Sequence, residues 1–406
     1  MTETNPECFH LSASAISAFK ACPQRFRLAY REGLRPAQDT EAQRMGTNWH
    51  ALHEVYQNER SEALEMGNSP EKAEDRAMEA AVDHLNERYA QVPATVTPTE
   101  WALEREKLLV SFMGYLWYWQ DDPIEVLHSE LAFDLPVHHP KTGLPLPTSQ
   151  AIRVGKIDHV ALWQGMIGNV ERKSTTRSID AGSDYWDKAK KDTQVSMYAL
   201  GFRDMAAAGL LPDAVTSHAD YDPGRVGNTL YDVWHKPTIK PAKLTQKDTA
   251  AFIESGEYRG AEFTVKVEGE DPPVVTVDGE EVEVEQGKKG FAIRESVSMY
   301  GARLLDDIYE RPEFYYARRE IARTDKDLEH FRKEVYNIYQ AQRTFANTGH
   351  WYENEQQCRA TFPCAYIPIC YGPGADAVCD GETTPDSFKR IFTDLTVGGE
   401  EVNQED

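Results

Sequence analysis

Two runs rich in apolar residues near the middle of the chain, separated by a short break, predict a β-hairpin. Between residues 152 and 170 the apolar positions fall on both parities, which is typical of strands covered on both faces. The break is Gln164-Gly165, where glycine supplies the positive φ of a two-residue turn. The pairing that this turn imposes places Asp158 directly opposite Glu171.

Helical and alternating patterns assign most of the remaining chain. Apolar spacings of three and four predict helices at residues 11–33, 43–60, 69–93, 98–120, 183–204, 293–310 and 325–347. The first of these is predicted to bend near Pro23. Further strands are predicted at residues 126–135, 215–221, 228–235 and 313–321. Residues 262–285 read as an acidic β-like insertion with a hairpin turn signal at Asp278-Gly279. The aromatic stripe of the 98–120 helix is predicted to lie in the core in preference to forming a DNA-stacking surface.

The central hairpin is predicted to bring two acids and an amine together. Lys173 projects from the same face as Glu171 because strand side chains alternate. Adjacent carboxylates repel each other, and a divalent cation between them relieves the repulsion; hard oxygen ligands suit Mg²⁺ or Mn²⁺. A lysine beside such a cation can orient the water that hydrolyses a phosphodiester. The alternative interpretation is that these charges form only the solvated face of a hairpin.

Motifs around the hairpin resemble those of a known enzyme family. These motifs are Gly46-Thr47-Asn48-Trp49-His50, Gln194-Val195-Ser196-Met197-Tyr198, Leu11-Ser12-Ala13-Ser14 and Ala21-Cys22-Pro23-Gln24-Arg25-Phe26. With Asp158 and the Glu171-x-Lys173 pair, their order resembles the PD-(D/E)xK nuclease superfamily, and within it the RecB-like branch of the CRISPR-associated exonucleases and the AddB nuclease domain. The resemblance implies an α/β fold: a restriction-endonuclease-like core with a mixed central sheet flanked by helices, large helical additions and a C-terminal iron–sulfur segment.

The resemblance also implies roles for individual residues. In this family the residue that matches Lys173 positions the attacking water. The residues that match Gln194 and Tyr198 hold the catalytic strand or the metal-bound water. The implied metal ligands are Asp158, Glu171, the backbone carbonyl of Arg172, His50 and Glu130. His53, one helical turn from His50, is a competing candidate for the histidine role.

The six cysteines support a second prediction. Cys358, Cys364 and Cys370 are evenly spaced, with five residues between neighbours, and three thiolates need a fourth ligand. In the branch that the chain resembles, one cysteine ahead of the nuclease motifs joins three behind them on a [4Fe–4S] cluster, which implies Cys22. Zinc on the same thiolates is an alternative, as are disulfides or ordinary buried cysteines. Cys8 or Cys379 could take the place of Cys22.

The net charge of −23 is unexpected for a DNA-binding protein, because most DNA-binding surfaces are basic. Two acidic segments, 262–285 with net charge −8 and 380–406 with net charge −6, contribute 14 of those 23 charges. Residues 11–36 instead carry a net charge of +4. A local basic groove is therefore predicted, with a solvated helix face as the alternative. Its predicted DNA contacts are Lys20, Arg25, Arg27, Lys188, Lys190 and Lys191.

Together these features predict a metal-dependent DNA exonuclease that acts on single-stranded ends in the cytoplasm of a bacterial or phage-infected cell. The predicted domains are a nuclease core at 1–261, the acidic insertion at 262–290, C-terminal helices with the cysteines at 291–379, and a disordered tail at 380–406. The sequence contains no membrane-length apolar run and no ATP-binding P-loop, so a helicase, recombinase or single-strand binding protein would be a separate partner. The alternatives are a catalytically silent nuclease-fold subunit and a metal-stapled DNA mimic.

Overall fold

The computed structural model describes residues 8–121, 124–269, 273–287, 290–360, 362–372, 378, 383–393 and 401–403. The strands are β1 (Phe9–Leu11), β2 (Leu34–Pro36), β3 (Glu125–Pro136), β4 (Ala151–Trp163), β5 (Met166–Thr175), β6 (Thr229–His235), β7 (Glu257–Tyr258), β8 (Ala261–Glu262), β9 (Val265–Glu268), β10 (Val274–Val277), β11 (Glu280–Val282), β12 (Val284–Gln286), β13 (Phe291–Ile293), β14 (Tyr316–Ile321), β15 (Phe388–Thr393) and β16 (Glu401–Asn403). The helices are α1 (Ala13–Ala21), α2 (Pro23–Phe26), α3 (Glu41–Glu65), α4 (Pro70–Arg88), α5 (Pro98–Tyr118), α6 (Asp184–Ala189), α7 (Thr193–Ala208), α8 (Asp213–Thr216), α9 (Gln246–Ser255), α10 (Val297–Glu310), α11 (Pro312–Tyr315), α12 (Asp325–Thr348), α13 (Glu355–Cys358) and α14 (Ile367–Cys370).

A six-stranded mixed sheet forms the centre of the molecule. Its strand order is β1-β4-β5-β6-β14, and β3 pairs with β4. The predicted hairpin is confirmed: Trp163 pairs with Met166, and His159 pairs with Val170 at the far end of the β4–β5 ladder. Gln164 and Gly165 have φ values of 50° and 71°, as the two-residue turn requires.

The sheet forks at the acids. Strand β3 pairs with β4 along one edge, from Ile152 to Leu162. The other edge of β4 pairs with β1 at residues 151–153 and with β5 at residues 159–163. In the part of the chain that the structure describes, residues 154–158 therefore have no strand partner on that edge. Asp158 lies at this gap, where its side chain can meet groups from outside the ladder.

Helices cover both faces of the sheet and form two main cores. On one face α1, α7 and α12 contribute the core that contains Phe19, Phe202 and Phe331. On the other face α3, α5 and α10 surround Trp49 and Trp234, whose rings stack with centroids 4.2 Å apart. These apolar surfaces bury the sheet on both sides, as the mixed parity of its apolar residues predicts.

Two of the predicted helices are broken, and one predicted strand is absent from its place. The first helix ends at Cys22, which is extended (φ −162°), and a new turn begins at Pro23, because proline fits a first helical turn but not a helix interior. The predicted 183–204 helix is divided because Asp192 caps a new helix, accepting hydrogen bonds from the N–H groups of Gln194 and Val195. The strand predicted at 215–221 was wrong: α8 ends at Thr216, within that range, and its Val215 packs into the core.

The acidic insertion is a small β-structure, as predicted. Strands β9, β10 and β11 form one sheet, and Asp278 and Gly279 both have positive φ at the turn between Val277 and Glu280. Its core includes Phe252 of α9, so the compact unit begins before residue 262.

Much of the predicted disordered tail at 380–406 lies outside the described residues. In its described part, residues Phe388–Thr393 form β15, which pairs antiparallel with β2 so that Phe388 is opposite Pro36, and Phe388 packs in one apolar cluster with Leu28 and Leu34. Among the helices that the structure describes, none combines the length and apolar character needed to cross a membrane.

Candidate active site

The fork in the sheet positions the first acid. Beyond the last β4–β5 backbone pair, the N–H of Arg172 donates a hydrogen bond to Asp158 Oδ2 over 3.1 Å. His50 of α3 approaches the same carboxylate, with its Nδ1 3.4 Å from Asp158 Oδ2. The carboxylate thus bridges the diverging strands in place of a backbone pair.

Glu171 and Lys173 project from β5 towards the N-terminus of α7. Lys173 Nζ lies 2.5 Å from Glu171 Oε1 and donates a hydrogen bond to Gln194 Oε1 over 2.6 Å. Gln194 Nε2 in turn donates to Glu171 Oε1 over 2.8 Å. Tyr198, one turn further along α7, is buried and hydrogen-bonded to Gln194. The structure thus brings together the acid, lysine and glutamine motifs that the sequence separates by more than twenty residues.

The two acids have opposite electrostatic environments. Burial alone would raise the pKa of Asp158, but hydrogen bonds from His50 and the Arg172 N–H, with the charge of Lys173, outweigh it and lower that pKa to about 2. Burial raises the pKa of Glu171 to about 7; Lys173 opposes this shift and Asp158 reinforces it. Near neutral pH, Asp158 is therefore ionised while Glu171 is close to half protonated.

Glu171 has an atom that suits a cation. Its Oε2 is buried and has no hydrogen-bond partner among the described residues, although its Oε1 is bonded twice. A buried carboxylate oxygen without a partner is costly, and a hard divalent cation is the ligand that this donor type favours. Within the described ranges, however, no set of three or more His, Cys, Asp or Glu side chains already has an arrangement that could hold a metal ion.

A buried charge network lies behind β5. Arg172 is in register with Asp232 across the parallel β5–β6 ladder, so both project from the face opposite Glu171 and Lys173. Asp232 Oδ2 is 3.9 Å from Arg172 Nε and Asp232 Oδ1 is 3.3 Å from Arg318 Nε. Tyr115 also donates a hydrogen bond to Asp232. This network was not predicted from the sequence, although an acid within the otherwise largely apolar run Thr229–His235 is a signal that could have indicated it.

Glu130 and His53, the remaining candidates for metal ligands, lie in two different environments. Glu130 lies at an irregular point of β3 with φ 59° and pairs with Lys156. His53 is buried against the rings of Trp49, Phe112 and Tyr115, and burial holds its pKa well below the ordinary value. Of the two histidines, His50 is therefore the one beside Asp158.

Most of the predicted DNA-contacting bases are paired with acids of the chain itself. Lys20 pairs with Glu334 and Arg27 with Glu32. Lys188 and Lys190 form pairs within their own helical segment. Arg25 is exposed beside the cysteines, and Lys191 is exposed after α6. Four of these six positive charges are therefore paired with acids of the chain, and the basic groove stays a prediction.

The predicted cysteine ligands share one small cavity. Its lining includes Cys22, Cys358, Cys364 and Cys370, from segments more than 300 residues apart. Asn354 joins the segments, because its N–H donates to Cys22 Sγ over 3.4 Å and its side-chain amide donates to the Ala21 carbonyl over 2.9 Å. Burial raises the pKa of Cys370 to about 12, with a contribution from the charge of nearby Glu353. Cys379 lies outside the described residues.

The protein has a nuclease-type α/β fold. Its mixed sheet is flanked by helices and carries two acids and a lysine where two strands diverge. The chain belongs to the PD-(D/E)XK nuclease superfamily, whose family profile matches residues 10–371. A comparison with curated proteins finds no match. Membership indicates a nuclease, and thus hydrolysis of phosphodiester bonds in DNA.

Proposed function

We propose that this protein is a metal-dependent DNA exonuclease of the RecB-like branch. The observation that carries the proposal is the convergence of Asp158, Glu171, Lys173 and Gln194 at the strand fork, with His50 beside Asp158. Mg²⁺ or Mn²⁺ is the proposed cofactor, held by Asp158, Glu171, the backbone carbonyl of Arg172 and His50. Glu130 stays a further candidate ligand.

Side chains of the protein itself can orient the attacking water and balance the charge that develops on the phosphate. A bound divalent cation would supply Lewis acidity to the scissile phosphate and lower the pKa of a bound water. Lys173 Nζ is fixed between Glu171 and Gln194, so it can orient the attacking water and balance charge that develops on the phosphate. Gln194 bonds both neighbours and so holds their side chains in one arrangement. The buried Tyr198 supports Gln194 from the next turn.

Exonuclease action on single-stranded DNA ends is the specific form that we propose. The test uses labelled linear single strands, linear duplexes and covalently closed single-stranded circles, each with Mg²⁺ or Mn²⁺. Linear single strands should be degraded to mononucleotides or short products, and circles should survive. Cutting of the circles would instead assign endonuclease action. A helicase, recombinase or single-strand binding protein on a separate chain is the proposed partner, in a bacterial or phage-infected cell.

The metal requirement should depend on pH. Because the pKa of Glu171 is raised to about 7, a proton occupies that carboxylate below about pH 7 and competes with the cation. We therefore expect the Mg²⁺ concentration for half-maximal cleavage to rise by up to about tenfold for each pH unit below 7, and to level off above it. Titrations of Mg²⁺ at about pH 6 and about pH 8 measure this difference. An equal Mg²⁺ requirement at both values would show that no carboxylate of raised pKa binds the metal.

We further propose a [4Fe–4S] cluster on Cys22, Cys358, Cys364 and Cys370. The cavity that these cysteines share supports this proposal. It is lined by residues from the break after α1 and from the segment around α13 and α14. The extended conformation of Cys22 turns the chain out of the helix at this point. A cluster there would connect the two ends of the nuclease region and restrict the unfolded chain, which is a structural role. Zinc is the alternative occupant of the same thiolates.

Replacing Cys22 with serine should remove the cluster. We expect anaerobically purified protein to contain iron and acid-labile sulfide in equal amounts, and the Cys22→Ser variant to lose both, with a lower thermal unfolding midpoint. Cys8→Ser is the matched control, because Cys8 bonds the Thr148 carbonyl away from the shared cavity, and it should retain its iron. Protein that contains zinc and no sulfide would assign the site to zinc. Iron retained in Cys22→Ser would exclude Cys22 as a ligand.

A further inference from the structure

A second cavity lies on the sheet away from the acid pair. Its volume is about 620 Å³, and it is bounded by the end of β3, the end of α7 and the first part of α12. Arg153 of β4 lies at this cavity, five residues before Asp158, which separates the two by about 17 Å along an extended strand. The cavity is therefore separate from the candidate active site.

The cavity contains an excess of positive charge. Arg153 is 2% exposed and bonds Asp204 over 2.5 Å, and Arg332 pairs with the same carboxylate. Two guanidinium groups thus share one acid. Within the described residues, nothing accepts a hydrogen bond from Arg153 Nη1, which is buried. An anionic ligand beside Arg332 would balance the second positive charge.

The rim and walls indicate the kind of anion. Lys333 lies at the rim with its side chain about half exposed, and its Nζ pairs with Glu329 over 2.6 Å. The remaining lining includes apolar side chains: Leu135, Pro136, Pro140, Ala207 and Ala208. A cavity of this size that combines a cationic corner with apolar walls suits a small ligand with one charged group and one flat apolar part.

We propose that this cavity binds a nucleoside monophosphate, with the phosphate beside Arg332 and Lys333 and the base along the apolar wall. The choice of a nucleotide over other phosphate esters rests on the proposed function, because an exonuclease releases nucleoside monophosphates. The protein then has a product-binding site that includes Arg153, a residue of the same strand as the proposed catalytic Asp158. The fraction of protein with a nucleotide bound there would rise as DNA is digested.

Calorimetric titration of the full-length protein tests the proposal, with the probes dAMP and inorganic phosphate in the presence of a metal chelator. We expect saturable dAMP binding at least about tenfold tighter than that of phosphate. A charge-assisted hydrogen bond contributes about 1.5–3 kcal/mol, so Arg332→Gln should weaken dAMP binding by about tenfold or more. Lys333→Gln, on the exposed rim, should weaken it by a smaller factor without affecting folding. Lys243→Gln is the matched control, because Lys243 is also half exposed and pairs with an acid, Glu285, over 2.6 Å; its dAMP affinity should equal that of the wild type.

The catalytic variant Lys173→Ala separates this proposal from the proposed function. It should bind dAMP like the wild type, whether or not the wild-type protein cleaves DNA. Loss of dAMP binding in Lys173→Ala would place the nucleotide at the catalytic acids and overturn the proposal. Equal affinities for dAMP and phosphate, or unchanged dAMP affinity in both Arg332→Gln and Lys333→Gln, would also overturn it. An oligonucleotide without terminal phosphates that displaces dAMP would assign the cavity to the DNA strand instead.

Discussion

Replacing Lys173 with alanine is expected to lower the rate of metal-dependent DNA cleavage by about 10²–10⁴-fold, the range typical for removing a group that positions a proton or stabilises developing charge. The ammonium group lies 2.5 Å from Glu171 Oε1 and bonds Gln194, and alanine has no group that can replace it. Glu171 keeps its hydrogen bond from Gln194 Nε2, so the fold should be retained. Single-turnover degradation of an end-labelled single strand at saturating Mg²⁺ measures the effect.

Lys266→Ala is the control for this experiment. Lys266 is exposed on β9 of the acidic insertion, so the change removes the same charge from the protein without touching the strand fork. Its cleavage rate should match that of the wild type. If Lys173→Ala also cleaves at the wild-type rate, the site around the acid pair and Lys173 is not the catalytic centre. Absence of metal-dependent cleavage by the wild type would instead favour the catalytically silent subunit.

Replacing Asp232 with asparagine is expected to lower the free energy of unfolding by about 3–5 kcal/mol, because removing one member of a buried ion pair leaves charge uncompensated. Asp232 is 2% exposed and lies near Arg172 and Arg318. The main-chain N–H of Arg172 also holds Asp158, so loosening Arg172 should raise the Mg²⁺ concentration needed for the remaining cleavage. Denaturant unfolding and Mg²⁺ titration measure the two effects separately.

The stability difference between the wild type and Asp232→Asn should depend on pH. Burial raises the pKa of Asp232 to about 6, although Arg172 and the Tyr115 hydroxyl oppose the shift. Because this folded-state pKa of about 6 lies above the unfolded value of about 4, folding takes up a proton between these two pH values, and the wild type gains stability as the pH falls through this window. Asparagine cannot take up that proton, so the stability difference between the wild type and the variant should be smallest above about pH 6 and should grow as the pH falls towards about 4.

Asp307→Asn is the control that separates positioning from general destabilisation. Asp307 also accepts hydrogen bonds from an arginine and a tyrosine, Arg311 and Tyr315, but it lies on α10 away from β5. We expect some loss of stability and an unchanged Mg²⁺ requirement. If Asp232→Asn lowers stability and leaves the Mg²⁺ requirement at the wild-type value, the network behind β5 supports the fold without positioning Asp158.

Most features of the central hairpin could be predicted from the sequence. The turn at Gln164-Gly165, the pairing of β4 with β5 and the side chains shared by one face of β5 were all predictable, because each depends on neighbours within a few residues. The bend near Pro23 was predictable from the proline itself, although the end of α1 at Cys22 was not. The new cap at Asp192 was harder to predict, because a helical pattern continues across it. The roles assigned to the site residues stay predictions until the variants are measured.

The sequence by itself determined the two acids, the lysine and their common face, and it determined the family through motifs that span most of the chain. Only the tertiary structure decided that β1 and β5 share one edge of β4, which opens the gap where Asp158 meets His50 and the Arg172 N–H. It also decided that Asp232 lies beside Arg172, behind β5. Strand alternation and turn chemistry act over a few residues, whereas the neighbours of a strand edge and the partners of a buried charge come from segments tens to hundreds of residues away.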